Sequence, residues 1–187
     1  MKTIREIGAQ LLRELDHTVP GVSDENAAVL VQAILHARRI FVAGAGRSGF
    51  MIKAFAMRLM HIGFEVHVVG ETTTPNLTAE DLFIIASGSG STGSLVSMAQ
   101  KAKKIGAPLA LLTIDRDSPI GNVADILLTI AAPSPKVQRD TGFTSIQPMG
   151  SLFEQSLLLV FDAIILMLME SQNKTSDVMF TRHANLE

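Results

Sequence analysis

The 187-residue chain contains no cysteine, no tryptophan and no tyrosine, and only 5% of its residues are aromatic. The absence of cysteine excludes disulfide bonds, thiolate nucleophiles and cysteine-ligated zinc. The five histidines form no close-spaced pair, so we expect no metal cofactor. With a formal net charge of -2 and few aromatic rings, the chain offers neither a basic stripe nor a stacking surface for nucleic acid. We therefore expect no nucleic-acid partner.

Segments that direct a protein to a membrane or out of the cell are not apparent either. Residues 1–16 mix charges with apolar residues at the spacing of an amphipathic helix, unlike the apolar core of a signal peptide. The most apolar stretch, residues 157–169, contains Asp162 and is shorter than the roughly 20 residues that cross a bilayer. These patterns predict a cytoplasmic protein with no membrane partner. Because 47% of the residues are hydrophobic and 18% charged, we also expect a homo-oligomer whose subunits cover part of the surface.

Short apolar runs alternate with helical patterns along most of the chain. Helical patterns cover residues 49–61 and 93–105, and the apolar runs between them are typical of buried parallel strands. The alternation predicts a doubly wound α/β fold, Rossmann-like or flavodoxin-like, with a five-stranded parallel sheet in a single domain over residues 1–187. N-terminal helices, residues 1–37, and a C-terminal helix with a tail, residues 150–187, are expected to pack on this sheet. The predicted strands are residues 40–43, 64–69, 82–86, 109–113 and 126–130.

Two loops rich in glycine and serine follow predicted strands and lead into predicted helices. They are GAGRSG at residues 44–49 and SGSGST at residues 87–92. Backbone N–H groups at a helix start carry partial positive charge, and short hydroxyl side chains add hydrogen-bond donors. In a parallel sheet, loops at the carboxyl ends of neighbouring strands meet at one crevice. Together the two loops predict a site for a phosphorylated small molecule.

Other interpretations of these loops stay open. GAGRSG also matches the G-x-G-x-x-G pattern of dinucleotide-binding proteins, and Glu71 follows the second predicted strand, near the place of a ribose-binding acid. Against NAD, Arg47 and Ser48 put a cation and a hydroxyl inside the turn, and the second loop repeats the anion-binding chemistry. A Walker A site is a weaker interpretation, because Phe50 and Ser94 stand where its lysine belongs. Tight strand-to-helix turns without a ligand would explain one loop better than two.

The sequence IQPMGSLFEQ, residues 146–155, opens the long apolar helix and contains Glu154. Its carboxylate is a candidate general base. Ser151 and Glu154 also form the S-x-x-E pattern of a capping box, in which the glutamate only accepts a hydrogen bond from a backbone N–H group. His183 lies in a polar tail, where a histidine is usually solvated. From spacing alone, neither residue can be given a role.

Taken together, these motifs resemble the 6-phospho-3-hexuloisomerases of the SIS, or sugar isomerase, superfamily. The resemblance extends over nearly the whole chain, and QPMGSLFEQ together with HANLE is much more specific to this isomerase than the loops are. One position departs from the pattern, because Ser91 stands where the second loop of the family carries an acid. The segments that resemble the family are GAGRSG, FAMRLMHIGF at 55–64, GETTTP at 70–75, SGSGST, IQPMGSLFEQ and MFTRHANLE at 179–187.

The resemblance implies interconversion of D-arabino-hex-3-ulose 6-phosphate and D-fructose 6-phosphate through a cis-enediolate, a step of the ribulose monophosphate pathway of formaldehyde fixation. It implies no redox cofactor and no metal, and it suggests a tetramer. Glu154 would shuttle the proton, Arg47 would stabilise the enediolate, and His183 would move protons between oxygens or open the sugar ring, in its own or a neighbouring subunit's site. The implied phosphate-binding residues are Ser48, Ser87, Gly88, Ser89, Gly90, Ser91 and Thr92.

Three other functions remain compatible with the loops. An arabinose 5-phosphate isomerase would use similar chemistry and a similar phosphate site. A non-catalytic sugar-phosphate sensor could use the same loops, although such proteins normally carry an attached effector module. An NAD-dependent oxidoreductase would instead bind nicotinamide. The loops alone do not specify the length of the sugar.

Overall fold

A parallel sheet forms the centre of the computed structural model, which describes residues 1–137 and 142–186. Its strands are β1 (Ile40–Gly44), β2 (Val66–Val68), β3 (Leu82–Ala86), β4 (Leu109–Thr113) and β5 (Ile126–Thr129). They are arranged in the order β2-β1-β3-β4-β5, and every neighbouring pair is parallel. This order confirms the predicted doubly wound α/β fold, in its flavodoxin-like form.

Helices cover both faces of this sheet. They are α1 (Ile4–Thr18), α2 (Asp24–His36), α3 (Gly46–Ile62), α4 (Gly93–Ile105), α5 (Ser151–Ser171) and α6 (Ser176–Phe180). Helices α2, α3 and α5 pack on one face and α4 packs on the other, whereas α1 and α6 pack against α5 and α3 respectively. Because side chains alternate along a strand, Phe41 and Phe83 face α4, while Val42 and Ile84 face the other helices. The strands are therefore buried on both faces.

Some element boundaries match the prediction and others differ from it. Helix α4 has the predicted bounds, since Gly106 at its C-cap adopts a left-handed φ of 86°. The second strand was predicted over residues 64–69 but spans only three residues. The N–H groups of Gly63 and Phe64 both bond to the carbonyl of Leu59, so these two residues terminate α3 instead. Helix α3 in turn begins at Gly46, inside the first glycine-rich loop.

Helix α5 is the most apolar element of the fold. It has 21 residues, so it is longer than the apolar stretch noted in the sequence, and by length and composition it could cross a membrane. Half of its most apolar window is buried inside the fold, which is also typical of the core helix of a soluble protein. It packs chiefly against α3, where the Phe161 ring stacks on Phe55 with 4.3 Å between ring centroids. This packing fixes α5 relative to the helix that follows the first glycine-rich loop.

A buried ion pair joins the segments that lead into β1 and β3. The Arg39 guanidinium donates to both carboxylate oxygens of Asp81, at 3.0 and 2.8 Å, and Thr78 donates to the same carboxylate through its N–H and hydroxyl groups. Burial raises the pKa of Asp81, but the hydrogen bonds from Arg39 and Thr78 outweigh it, and the net shift is downward. The pair fixes the entry of two adjacent strands, and each of them ends at a glycine-rich loop.

Candidate functional site

Both glycine-rich loops open onto one cavity at the carboxyl ends of β1 and β3. These two strands are neighbours at the centre of the sheet, and the chain leaves them toward opposite faces, into α3 and α4. Ligands of doubly wound proteins bind at this kind of switch point. The cavity has a volume of about 400 Å³, which is large enough for a small phosphorylated sugar.

In the part of the chain that the structure describes, four segments line this cavity, together with the side chains of Leu95 and Ile114. The first loop and the second loop form two sides, the segment at 134–136 forms a third, and the start of α5 forms the fourth. The lining residues are Ala45–Ser48, Ala86–Ser89, Thr92, Leu95, Ile114, Ser134–Lys136, Pro148–Ser151, Phe153 and Glu154.

The two loops share a backbone conformation at one glycine each. Gly46 and Gly90 both have a φ of 57°, the left-handed conformation that glycine adopts with least strain. Ala45 and Thr92 are the N-caps of α3 and α4, and neither provides a side-chain hydrogen bond to its helix. The first-turn N–H groups of both helices therefore remain available to an anion.

Most of the predicted phosphate-binding residues lie at this cavity. Ser48 and Ser87 are buried in its wall, and Gly88, Ser89 and Thr92 line it as well. The second loop contains two exceptions. Gly90 is buried and Ser91 is exposed, and neither is among the residues that line the cavity.

Gly90 has a structural reason to be glycine. A β-carbon at this position would collide with the hydroxyl of Ser118. The Gly90 carbonyl also accepts a hydrogen bond from the N–H of Ile120, at 3.0 Å. The turn after β4 thus supports the second loop. Gly90 contributes to the shape of this loop through its backbone.

Glu154 and Arg47 form an ion pair at the edge of the cavity. Arg47 Nε lies 3.1 Å from Glu154 Oε2, and the same guanidinium donates to Ser151 Oγ at 3.0 Å. The Glu154 side chain is 17% exposed, whereas that of Arg47 is 55% exposed. A mostly buried carboxylate beside an accessible guanidinium can accept a proton while the cation stabilises negative charge that develops nearby.

The capping box suggested by the S-x-x-E pattern is not formed. Helix α5 begins at Ser151, its N-cap is Gly150, and no side chain caps it. The hydroxyl of Ser151 instead accepts the hydrogen bond from Arg47. The carboxylate of Glu154 is consequently not occupied by helix capping and faces the cavity.

The turn that leads into α5 is strained at Met149. This residue has a φ of 57°, which is uncommon for any residue except glycine, and its side chain is exposed at the cavity. The Ser151 N–H bonds to the carbonyl of Pro148 at 3.2 Å, which closes the turn. Strained backbone of this kind persists where the surrounding structure holds it in place.

Glu14 of α1 holds this turn from outside the cavity. Its carboxylate accepts hydrogen bonds from the Ser145 hydroxyl at 2.6 Å, the Ile146 N–H at 2.8 Å and the Gln147 amide at 2.9 Å. Burial raises the pKa of Glu14, but these three hydrogen bonds outweigh it and lower the pKa overall. Nothing in the sequence marks this contact, because Glu14 lies 131 residues away from Ser145.

His183 is not brought to the cavity of its own chain. Its ring stacks on His61, with 5.5 Å between centroids, and on Phe180. His61 lies in the last turn of α3, a helix of 17 residues and therefore roughly 24 Å long, whereas Arg47 lies in its first turn. Burial, Arg58 and His183 all lower the pKa of His61. The exposed His183 ring therefore belongs to the opposite end of α3.

Two further sequence features lie apart from the cavity. Glu71, the acid of the dinucleotide interpretation, is exposed in the turn after β2 and is not a lining residue. Among residues 1–137 and 142–186, no three His, Asp or Glu side chains cluster in a way that could hold a metal ion.

Comparisons with known proteins indicate the family of the chain. The SIS domain family matches residues 33–176, a range that includes both loops and Glu154. A 3-hexulose-6-phosphate isomerase from Bacillus subtilis (strain 168) is 52% identical over 187 residues, covering 100% of each chain. One from Mycobacterium gastri is 44% identical over 174 residues, covering 93% of this chain and 86% of its own. The crystal structure of a hypothetical protein from Methanococcus jannaschii, from which the same function was inferred, superposes with a TM-score of 0.83 at 32% identity, covering 97% of this chain and 99% of its own.

Proposed function

The chain belongs to the SIS domain family, and we propose that it is a 3-hexulose-6-phosphate isomerase. The reaction would interconvert D-arabino-hex-3-ulose 6-phosphate and D-fructose 6-phosphate. The observation that supports this activity best is the Arg47–Glu154 pair at the edge of a cavity with two anion-binding loops. A relative that is 52% identical over its full length and bears this name supports the choice of substrate.

Moving the carbonyl from C3 to C2 requires one proton to leave C2 and one to arrive at C3. Glu154 takes the proton from C2, and the electron pair of that bond forms the C2–C3 double bond of a cis-enediolate. The carboxylic acid of Glu154 then protonates C3, and the hydroxyl proton on O2 moves to O3. One base can serve both carbons, since they are adjacent and present the same face. No bond to another reactant is formed or broken.

Arg47 stands where the charge of the enediolate can be stabilised. Its guanidinium already contacts Glu154 and Ser151, more than half of its side chain is exposed, and Arg47 lines the cavity. When Glu154 takes up the proton, its negative charge moves onto the substrate oxygens. A guanidinium next to both Glu154 and the substrate oxygens would stabilise the negative charge before and after this transfer with little rearrangement.

The two loops would hold the phosphate group away from the reacting carbons. The uncapped N–H groups of α3 and α4 and the hydroxyls of Ser48, Ser87, Ser89 and Thr92 supply the donors. Binding energy from this non-reacting group can position C2 and C3 beside Glu154. It would also retain the intermediate until the second proton transfer.

We also propose a tetramer in the cytoplasm, with His183 acting in a neighbouring subunit's site. Exposed apolar side chains on α3 and α5 support an assembly, among them Phe50, Met57, Leu159 and Leu166. His183 is exposed on the surface of its own subunit, where a partner could receive it. The imidazole would carry the proton between O2 and O3 or open the cyclic sugar.

The activity is tested by supplying fructose 6-phosphate in heavy water with a metal chelator and no nicotinamide. We expect NMR to show deuterium at C3 of fructose 6-phosphate together with the 3-ketose. Arabinose 5-phosphate is assayed in parallel. Exchange on the pentose alone would retain the enediolate mechanism and change the substrate, whereas exchange on neither sugar would favour a sugar-phosphate sensor.

A further inference from the structure

Arg47 and Glu154, which line the cavity, neutralise each other and so do not balance the negative charge of a sugar phosphate. Among residues 1–137 and 142–186, three charged side chains line the cavity: Arg47, Glu154 and Lys136. The first two neutralise one another in an ion pair. A phosphate monoester carries a charge of about -2 at neutral pH, and the serines and threonine of the two loops are neutral. Among the described lining residues, Lys136 is therefore the cation that is not paired with a carboxylate.

Lys136 is held at the cavity by a closed turn. The N–H of Val137 bonds to the carbonyl of Ser134 at 3.1 Å, and the N–H of Lys136 approaches the Ser134 hydroxyl at 3.4 Å. Pro135 occupies the second position of this turn, where its fixed φ favours the geometry. Val137 packs against the core under α3 and α5. The backbone on both sides of Lys136 is thus anchored, and Ser134, Pro135 and Lys136 line the cavity together.

The ammonium group of Lys136 has no competing partner in the part of the chain that the structure describes. None of the ion pairs among residues 1–137 and 142–186 includes Lys136. An exposed lysine is usually only solvated, but this one lines the same cavity as the two glycine-rich loops. A flexible point charge suits a phosphate group, which accepts hydrogen bonds from many directions.

We infer that Lys136 binds the phosphate group of the substrate and makes the site selective for phosphorylated over unphosphorylated sugars. This inference rests on the proposed function, because it assigns the charged end of that substrate to the turn after β5. The loops would orient the phosphate through neutral donors, and Lys136 would supply charge. Arg47 then remains available for the enediolate.

The test compares Lys136→Met and Lys136→Arg with Lys104→Met, an exposed lysine of α4 outside the cavity. Calorimetry with fructose 6-phosphate, fructose and inorganic phosphate gives affinities that do not depend on turnover. We expect Lys136→Met to weaken binding of fructose 6-phosphate and of inorganic phosphate about tenfold. Lys136→Arg should retain most of the affinity, and Lys104→Met should match the wild type. In kinetics, the loss should appear mainly as a higher KM.

A second signature is the dependence on salt. Adding sodium chloride should weaken fructose 6-phosphate binding less in Lys136→Met than in the wild type, since one screened attraction has been removed. Equal affinity and equal salt dependence in the two proteins would overturn the inference while leaving the isomerase assignment intact. If the wild type binds sugar phosphates without converting any of them, the isomerase proposal fails, and the calorimetric comparison still decides the role of Lys136.

Discussion

The two glycine-rich loops have the same construction but different surroundings. Each follows a central strand, and each contains a glycine with a φ of 57°. Directly after that glycine, the first loop carries Arg47 and the second carries Ser91. Arg47 reaches across to Glu154 of α5, whereas Ser91 is exposed and lies outside the cavity lining. Equivalent loops can therefore serve different parts of one reaction.

The two loops also differ in how closely other residues pack against them. Nothing lies within 4 Å of a β-carbon placed on Gly46, while one placed on Gly90 would collide with Ser118. The first loop is open and leads into α3, the helix that packs on α5 and its Glu154. The second loop is closely supported by the turn after β4. We infer that the first loop serves the proton transfer and the second serves as a rigid phosphate anchor.

Substitution of Arg47 tests the chemical role of the first loop and should have the largest effect of the substitutions within the two loops. Arg47→Gln should lower kcat by about 10²–10³-fold, a loss typical for removal of one group that stabilises an oxyanion. Arg47→Lys keeps the charge without the bidentate fork and should recover part of the rate. NMR assays of the interconversion measure both. A Gln variant within threefold of the wild-type kcat would contradict the role assigned to this loop.

Alanine at the two left-handed glycines tests the difference in packing. Gly46→Ala should lower the free energy of unfolding by about 1 kcal/mol, the strain of a β-carbon at positive φ. Gly90→Ala should lower it by about 3 kcal/mol, because overpacking against Ser118 is added to the same strain. Urea denaturation of both variants gives the comparison. The double variant Gly90→Ala/Ser118→Gly should recover much of the added loss, and equal losses in the two single variants would refute the packing difference.

Within the second loop, Ser89 and Ser91 should behave differently. Ser89 lines the cavity, so Ser89→Ala should weaken fructose 6-phosphate binding about tenfold, as expected for the loss of a hydrogen bond to a charged group. Ser91→Ala should change the affinity by less than twofold. Titration calorimetry distinguishes them. A large loss at Ser91 would return this residue to the phosphate site that the sequence predicted.

The Glu14 anchor should give a small effect, on stability and its pH dependence. The pKa of Glu14 is lowered in the folded protein, so its contribution is present above the unfolded pKa near 4.5 and is lost as the pH falls through the folded value. Glu14→Gln should therefore lower the free energy of unfolding by about 1 kcal/mol at pH 7. The difference in the free energy of unfolding between the variant and the wild type should become smaller below pH 4.5. Urea titrations at several pH values measure it, and a constant gap would argue against the carboxylate as the anchor.

Local pattern was sufficient for most of the fold and for the loops. Buried strands are continuous apolar runs, and Gly106 marks the end of α4, so the bounds of that helix were predicted correctly. The second strand was predicted to begin at Phe64, but the Phe64 N–H bonds to the carbonyl of Leu59 and helps to close α3, and β2 begins at Val66. A competition of this kind depends on which hydrogen bonds form, and side-chain pattern alone does not reveal it.

Contacts between distant residues account for what the sequence did not predict at the site. Ser151 has a local capping pattern, yet its hydroxyl pairs with Arg47, 104 residues away. Glu14 and Lys136 have no pattern that sets them apart from other surface charges. His183 was named from a resemblance, and its role stays a prediction, since within its own chain it stacks on His61. Only the folded chain brings Ser151, Arg47 and Lys136 to the cavity and Glu14 to the turn that supports it.

The central claim is that Glu154 is the single base that moves the proton between C2 and C3. The most direct test is Glu154→Gln, assayed with fructose 6-phosphate in heavy water and by calorimetry on the same samples. The account predicts sugar-phosphate affinity within about threefold of the wild type, with isomerisation and deuterium exchange both reduced by about 10²–10⁴-fold. Wild-type rates of exchange in the Gln variant would contradict it and would place the base elsewhere.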